Sequence, residues 1–118
     1  MSELIEMQCV ACRADAPPAT AEEIERWLSD VPDWDLIKVD DIPRLRRAFK
    51  FRNFRQALEF TNLVGELAED EGHHPRITTE WGKVTVTLWT HAIKSLHRND
   101  FILAAKIDRA LIEHESDS

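Results

Sequence analysis

The chain has 118 residues, 43% of them hydrophobic, and a formal net charge of -7 from 15 Lys and Arg against 22 Asp and Glu. That length supports one core and little more, since domains most often run to about 100 to 150 residues. The acidic balance argues against direct nucleic-acid binding, which needs a concentrated basic surface, and no apolar run nears the roughly 20 residues of a membrane helix.

Residues 1–19 show no clean period, contain Pro17 and Pro18, and read as a loosely ordered arm before a single domain over 20–118. The start lacks the basic residues and apolar stretch of a signal peptide, so a cytoplasmic protein is expected. Cys9 and Cys12 form a lone Cys-x-x-Cys. Without a second pair for zinc or the strand-to-helix setting of a redox dithiol, they read as free thiols.

Thr20 followed by Glu23 makes a capping box, and Ile24, Trp27, Leu28 and Val31 repeat at helical spacing until Pro32 stops the helix. Trp34 to Val39 and Leu45 to Phe51 read as two strands of a hairpin, turning through Asp40, Asp41 and Pro43. The basic residues Arg44, Arg46, Arg47, Lys50, Arg52 and Arg55 fit a strand with one solvated basic face. Asn53, with Gln56 three residues on, caps a long helix. Phe54, Leu58, Val64 and Ala68 lie near one side of it, widened by Phe60, Leu63 and Leu67, and Gly72 supplies its exit. After Pro75, Ile77 and Thr79 lead through Trp81 and Gly82 into the alternating run Val84, Val86, Leu88, with Thr85, Thr87 and Trp89 on the other face. A last helix covers about Asn99 to His114 through Leu103, Ile107, Ala110 and Leu111.

Two antiparallel hairpins joined by a long helix imply an α+β fold, a four-stranded antiparallel sheet with three helices packed on one face. The uncovered face mixes polar and aromatic residues, and with the open sheet edges it points to self-association.

The chemistry concentrates at His73, His74 and His91, bracketed by Glu69 and Asp100. Imidazole alone, with an unperturbed pKa of roughly 6.5, both gives and takes protons near neutrality. In extended backbone the adjacent His73 and His74 point to opposite faces and so do different jobs, while Pro75 restrains the pair. Glu69 lies one turn before His73 and can face the same site. The neighbouring Asp70 and Glu71 read as a solvated acidic helix end, and His97 and His114 as surface residues. Alternation sets His91 with Thr85, Thr87 and Trp89 unless the strand ends or bulges near Thr90, and the sequence leaves both open. Adjacent histidines are awkward co-ligands and the usual ligand spacings are missing, so no metal site is expected. Nucleophilic catalysis is weaker still, because the cysteines are remote and there is no Gly-x-Ser-x-Gly turn.

The spacing Glu69-x3-His73-His74-Pro75-x5-Trp81-x9-His91-x8-Asp100 resembles the signature of the pterin-4a-carbinolamine dehydratase family. The resemblance extends from about Thr20 to Ala110. It implies the same four-stranded sheet, a homodimer or homotetramer, and removal of water from 4a-hydroxytetrahydropterin, without metal or organic cofactor, in tetrahydrobiopterin recycling. By position, His73 and His91 resemble the acid and base groups and His74 a residue that holds the pterin, with Pro75 beside it and Trp81 walling the pocket. Glu69 and Asp100 would orient or charge-tune the rings. The family often has Thr or Ser where His97 stands, capping the last helix, so that helix start is expected to differ. Related modules on this fold act as dimerisation cofactors or assembly factors, which makes a non-catalytic role the alternative.

Overall fold

A computed structural model describes residues 18–117, with side chains to 114. The proposed arm, with Cys9 and Cys12, lies almost wholly outside the described residues. The elements are α1 (Ala21–Leu28), β1 (Asp35–Val39), β2 (Ile42–Lys50), α2 (Phe54–Glu71), β3 (Arg76–Glu80), β4 (Lys83–Leu88) and α3 (Arg98–Asp117). A single 3-10 turn, His91–Ile93, precedes α3.

The four strands form one antiparallel sheet in the order β1-β2-β4-β3. Thr20 and Glu23 close the expected capping box on α1. Asn53 caps α2 by accepting from the Gln56 N–H at 2.9 Å. The first hairpin turns on Asp40 and Asp41 alone, at φ 53° and 64°, which match the twist of the flanking strands. Pro43 therefore lies inside β2, opposite Lys38, rather than in the turn. It is tolerated there because pairing with β4 begins only at Leu45, so the missing N–H falls where the strand has one neighbour.

Leu45 and Phe49 of β2 and Val84, Val86 and Leu88 of β4 are buried beneath the helices. They meet Phe60, Val64 and Ala68 of α2 and Phe101 to Ala105 and Ile107 of α3. Burying a residue such as Phe60, fully enclosed here, contributes about 2 to 3 kcal/mol. Helix α1 joins this layer through Trp27, whose ring centroid lies 5.5 Å from that of Phe101. Lys106 of α3 bonds Glu71 at 2.9 Å and ties α3 to the end of α2, so Glu71 is an ion-pair partner and not solvated helix end.

Three expectations about faces change. Phe54 and Leu58 stand 47% and 44% exposed, and Ala57 takes the buried place instead. The basic residues of β2 do not share one solvated face. Arg47 turns toward the helices and donates to Asp108 Oδ1 at 2.7 Å, an oxygen that also accepts from Trp34 Nε1 at 2.8 Å. Burial pushes the Asp108 carboxyl above its usual range, with these donors pulling it back. Arg44 is buried on the other face. Finally, His114 packs edgewise near Phe51, at 6.3 Å between centroids, rather than standing free. No helix among the described residues is long and apolar enough to cross a membrane.

Candidate active site

The site is built where α2 ends. Gly72 adopts the left-handed conformation, φ 64°, and the His73 N–H donates back to the Ala68 carbonyl at 3.1 Å. This closing turn satisfies carbonyls left over at the helix end and reverses the chain toward β3. Pro75 then favours extended backbone at His74, and the two rings part to opposite sides.

His73 turns inward and is 8% exposed. Its Nε2–H donates to Asp100 Oδ1 at 2.6 Å. The other Asp100 oxygen accepts from Thr90 Oγ1 at 2.8 Å and from the His97 N–H at 2.9 Å. Asp100 is fully buried in the first turn of α3, where the helix dipole favours a carboxylate. A carboxylate removed from water is tolerated when donors replace its hydration, and here three segments of chain supply them.

His74 turns outward. Its Nε2–H donates to Glu69 Oε1 at 2.5 Å, in a pair whose side chains are 62% and 77% exposed. Glu69 thus serves His74, not His73.

Strand β4 ends at Leu88, and Thr90 forms an isolated bridge with Ser95 that ties off the loop carrying His91. Alternation survives this ending. Carried two and three residues beyond the Arg76 and Thr87 pairing, the β3–β4 register sets His74 opposite Trp89 on the open side and His73 opposite Thr90 on the helix side. His91, exposed at the start of the 3-10 turn, keeps to the Trp89 side, with ring centroids 4.4 Å apart. The Arg44 guanidinium also lies over the Trp89 ring, 4.0 Å from its centroid. Arg44 bonds the Val39 carbonyl at 3.3 Å, while its buried Nε has no partner among the described residues.

His73, His74, His91, Glu69, Asp100 and Pro75 therefore gather at one end of the β3–β4 hairpin. Trp81 does not join them within this chain. It sits 73% exposed in the β3–β4 turn, a full strand of roughly 17 Å from Pro75. Gly82 beside it holds φ 69°, with Phe51 O only 3.0 Å from where a Cβ would stand.

Three contributors escaped the sequence reading. Thr90 carried a usable signal: alternation puts its hydroxyl on the buried face, where it must find a partner. Arg44 gave none, because its contact with Trp89 depends on the β2–β4 register. His97, expected at the surface and as a poor cap, does cap α3, and its ring Nδ1 accepts from the Asn99 N–H at 3.1 Å. Among the described residues no three His, Cys, Asp or Glu side chains converge as metal ligands would.

Comparison with known proteins gives this geometry a family. A protein of Syntrophotalea carbinolica named "Putative pterin-4-alpha-carbinolamine dehydratase" is 59% identical over 96% of this chain and 100% of its own length. A Nitrosococcus oceani protein of the same name is 56% identical over 94% of this chain and 98% of its own. The crystal structure of a transcriptional coactivator/pterin dehydratase from Brucella melitensis matches with a TM-score of 0.71 at 30% identity, covering 79% of this chain and 97% of that one. A pterin dehydratase-like protein identified as a RuBisCO assembly factor in the alpha-carboxysome matches with a TM-score of 0.55 at 26% identity, over 65% and 87%. The family model described as pterin 4 alpha carbinolamine dehydratase matches residues 17–110, and the chain belongs to that family.

Proposed function

We propose that the protein is a hydro-lyase that converts a 4a-hydroxytetrahydropterin to the quinonoid dihydropterin and water, with His73 and His91 as the acid and base. The observation that carries this reading is the buried His73–Asp100 pair, whose carboxylate also accepts from Thr90, the residue that precedes His91. Family membership and the two close relatives' names support the reaction class.

In the reaction the C4a–O bond breaks as one imidazolium protonates the leaving hydroxyl, which departs as water. The N5 lone pair forms the new C4a=N5 bond, and a neutral imidazole accepts the N5 proton. The scheme needs two imidazoles in opposite protonation states, one within reach of the C4a hydroxyl and one within reach of N5–H. His73 has its Nε2 committed to Asp100, so it would meet substrate through Nδ1, with its tautomer fixed by that bond. His91 approaches from the open side, steadied by Trp89. His74 and Pro75 would hold the pterin, and Glu69 would orient His74.

We place this activity in the cytoplasm, and in a homodimer or homotetramer. The exposed Phe54 and Leu58 on α2, and Leu36 and Val39 on the edge strand β1, support self-association. The remote Trp81 has no role within a single copy of the site.

The test follows chemically generated 4a-hydroxytetrahydropterin by absorbance with wild type, His73→Ala and His91→Ala. Each variant should lose on the order of 100-fold or more in kcat, the scale of general acid–base catalysis. Equal rates in all three would overturn the assignment. The competing reading is a non-catalytic assembly or dimerisation module, supported by the weaker of the two structural likenesses. Recovery of one stoichiometric partner together with no turnover would favour it.

A further inference from the structure

His97 takes no part in the scheme above, yet it is bonded to the carboxylate on which that scheme depends. Its backbone N–H donates to Asp100 Oδ2 and its ring Nδ1 accepts from the Asn99 N–H. Together these make a reciprocal cap at the start of α3. The capping residue accepts from the first turn, and the acidic residue three positions on accepts from the capping residue, as in a capping box. A Ser or Thr in this place accepts with a hydroxyl oxygen that stays an acceptor throughout the neutral range. An imidazole nitrogen accepts only while it is unprotonated.

We propose that His97 is a positioning residue for His73, acting through Asp100, and that its own protonation sets how firmly the Asp100 carboxylate is held. Neutral His97 closes the cap. Protonated His97 releases the Asn99 N–H, and the turn that carries Asp100 loosens. The consequence for turnover rests on the dehydratase reading, while the structural coupling does not.

The surroundings fit such a device. His97 lines a cavity of about 270 Å3 with Thr20, Glu23, Trp27 and Arg98, which gives solvent a route to the ring. The titratable and charged groups facing it are Glu23 from α1, Arg98 and Asp100 from α3, and His73 from the α2–β3 junction. Burial is the largest influence and holds the His97 pKa below its usual 6.5. Asp100 and Glu23 pull upward, Arg98 and His73 downward. Because the folded value lies below the unfolded one, the stability linked to neutral His97 is complete above about pH 6.5 and is lost as pH falls through the lower folded value.

The experiment uses isotope-labelled full-length protein and NMR, following the Asn99 amide and the His73 ring from about pH 5 to about pH 8, the range in which histidine charge changes. Wild type, His97→Thr and His97→Ala are compared. In wild type both probes should inflect at the midpoint where the His97 ring itself titrates, with Asn99 amide protection, taken against the intrinsic exchange rate at each pH, lower by about fivefold on the acid side, the scale of one lost cap. In His97→Thr both inflections should vanish while the amide stays protected. In His97→Ala the lower protection should persist at every pH. A His73 response identical in wild type and His97→Thr overturns the proposal, and so does an Asn99 amide indifferent to His97→Ala. With pterin substrate, His97→Thr should keep the neutral-pH rate within about twofold and lose the extra acid-side fall. No turnover in any variant would refute the dehydratase reading alone, because the NMR probes need no substrate.

Discussion

Two histidines adjacent in the chain each donate to a carboxylate at almost the same distance, 2.6 Å from His73 to Asp100 and 2.5 Å from His74 to Glu69. The side chains of the first pair are 9% and 0% exposed; those of the second are 62% and 77% exposed. Bond length therefore does not rank the two contacts, and the surroundings do. Around His73 the low effective dielectric strengthens the interaction and no water stands ready to replace a lost partner. Around His74 water competes for both groups and salt screens them, so such pairs contribute about 0 to 1 kcal/mol. The inner carboxylate also gathers donors from His73, Thr90 and His97, so changing it disturbs three segments at once.

The sharpest way to break the comparison is Asp100→Ala. It strands the buried His73 Nε2–H and Thr90 hydroxyl together with the part-buried His97 N–H. Removing one partner of such a network should cost about 3 kcal/mol, read as a lower urea midpoint with unchanged slope. Turnover should fall at least as far as in His73→Ala, since ring orientation is lost along with the charge. Asp100→Asn keeps the volume but must turn an amide NH2 toward a group that is itself a donor, so it should recover only part of the stability. A neutral outcome for Asp100→Ala would mean that water enters the site freely and that the inner pair is no different from the outer one.

A smaller effect tests what separates the two rings. Gly72 at φ 64° directs the chain so that His73 enters and His74 leaves, and a Cβ there would meet nothing within 4 Å. The whole cost of Gly72→Ala should thus be backbone strain, about 1 kcal/mol by denaturant unfolding. Gly72→Asn should cost less, because Asn enters the left-handed region more readily. An Ala variant as stable as wild type would show that another contact, and not the helix exit, divides inside from outside.

Much of this frame was legible in the sequence because it is local. The capping box at Thr20, the Asn53 cap, the Gly72 exit and the alternation in β4 are all written within a few residues, and the structure has each of them. Alternation even held past the strand end, keeping His91 on the Trp89 side. What failed was long-range. Tertiary packing set the buried stripe of α2 along Ala57, Phe60, Val64 and Ala68, and Phe54 and Leu58 lie beside that stripe and stay exposed. Glu71 finds Lys106 only through the packing of α2 on α3, and Arg44 finds Trp89 only through strand register. His97 was read at the surface and as a poor cap, because imidazole is not a preferred capping group and its acceptor role depends on a tautomer that composition does not express. At the site, spacing picked out residues that the fold gathers at one hairpin end, Trp81 excepted, but the partition of the two acid–histidine pairs into a buried and an exposed one was not legible.

The smallest effect sharpens the comparison from the other side. Glu69→Gln keeps an oxygen that can accept from His74 and removes only the charge, in a pair that water already reaches from all sides. Stability should change by less than about 0.5 kcal/mol. If His74 holds the pterin instead of moving its protons, the kinetic change should fall mainly on KM, with kcat near wild type, because a lost binding contact weakens ground state and transition state alike. Repeating the measurement at high salt should then narrow even that difference, as screening already does to wild type what the substitution does outright. A kcat loss comparable to that of Asp100→Asn would put Glu69 and His74 into the proton-transfer step, and the division of labour between the inward and outward histidines would have to be redrawn.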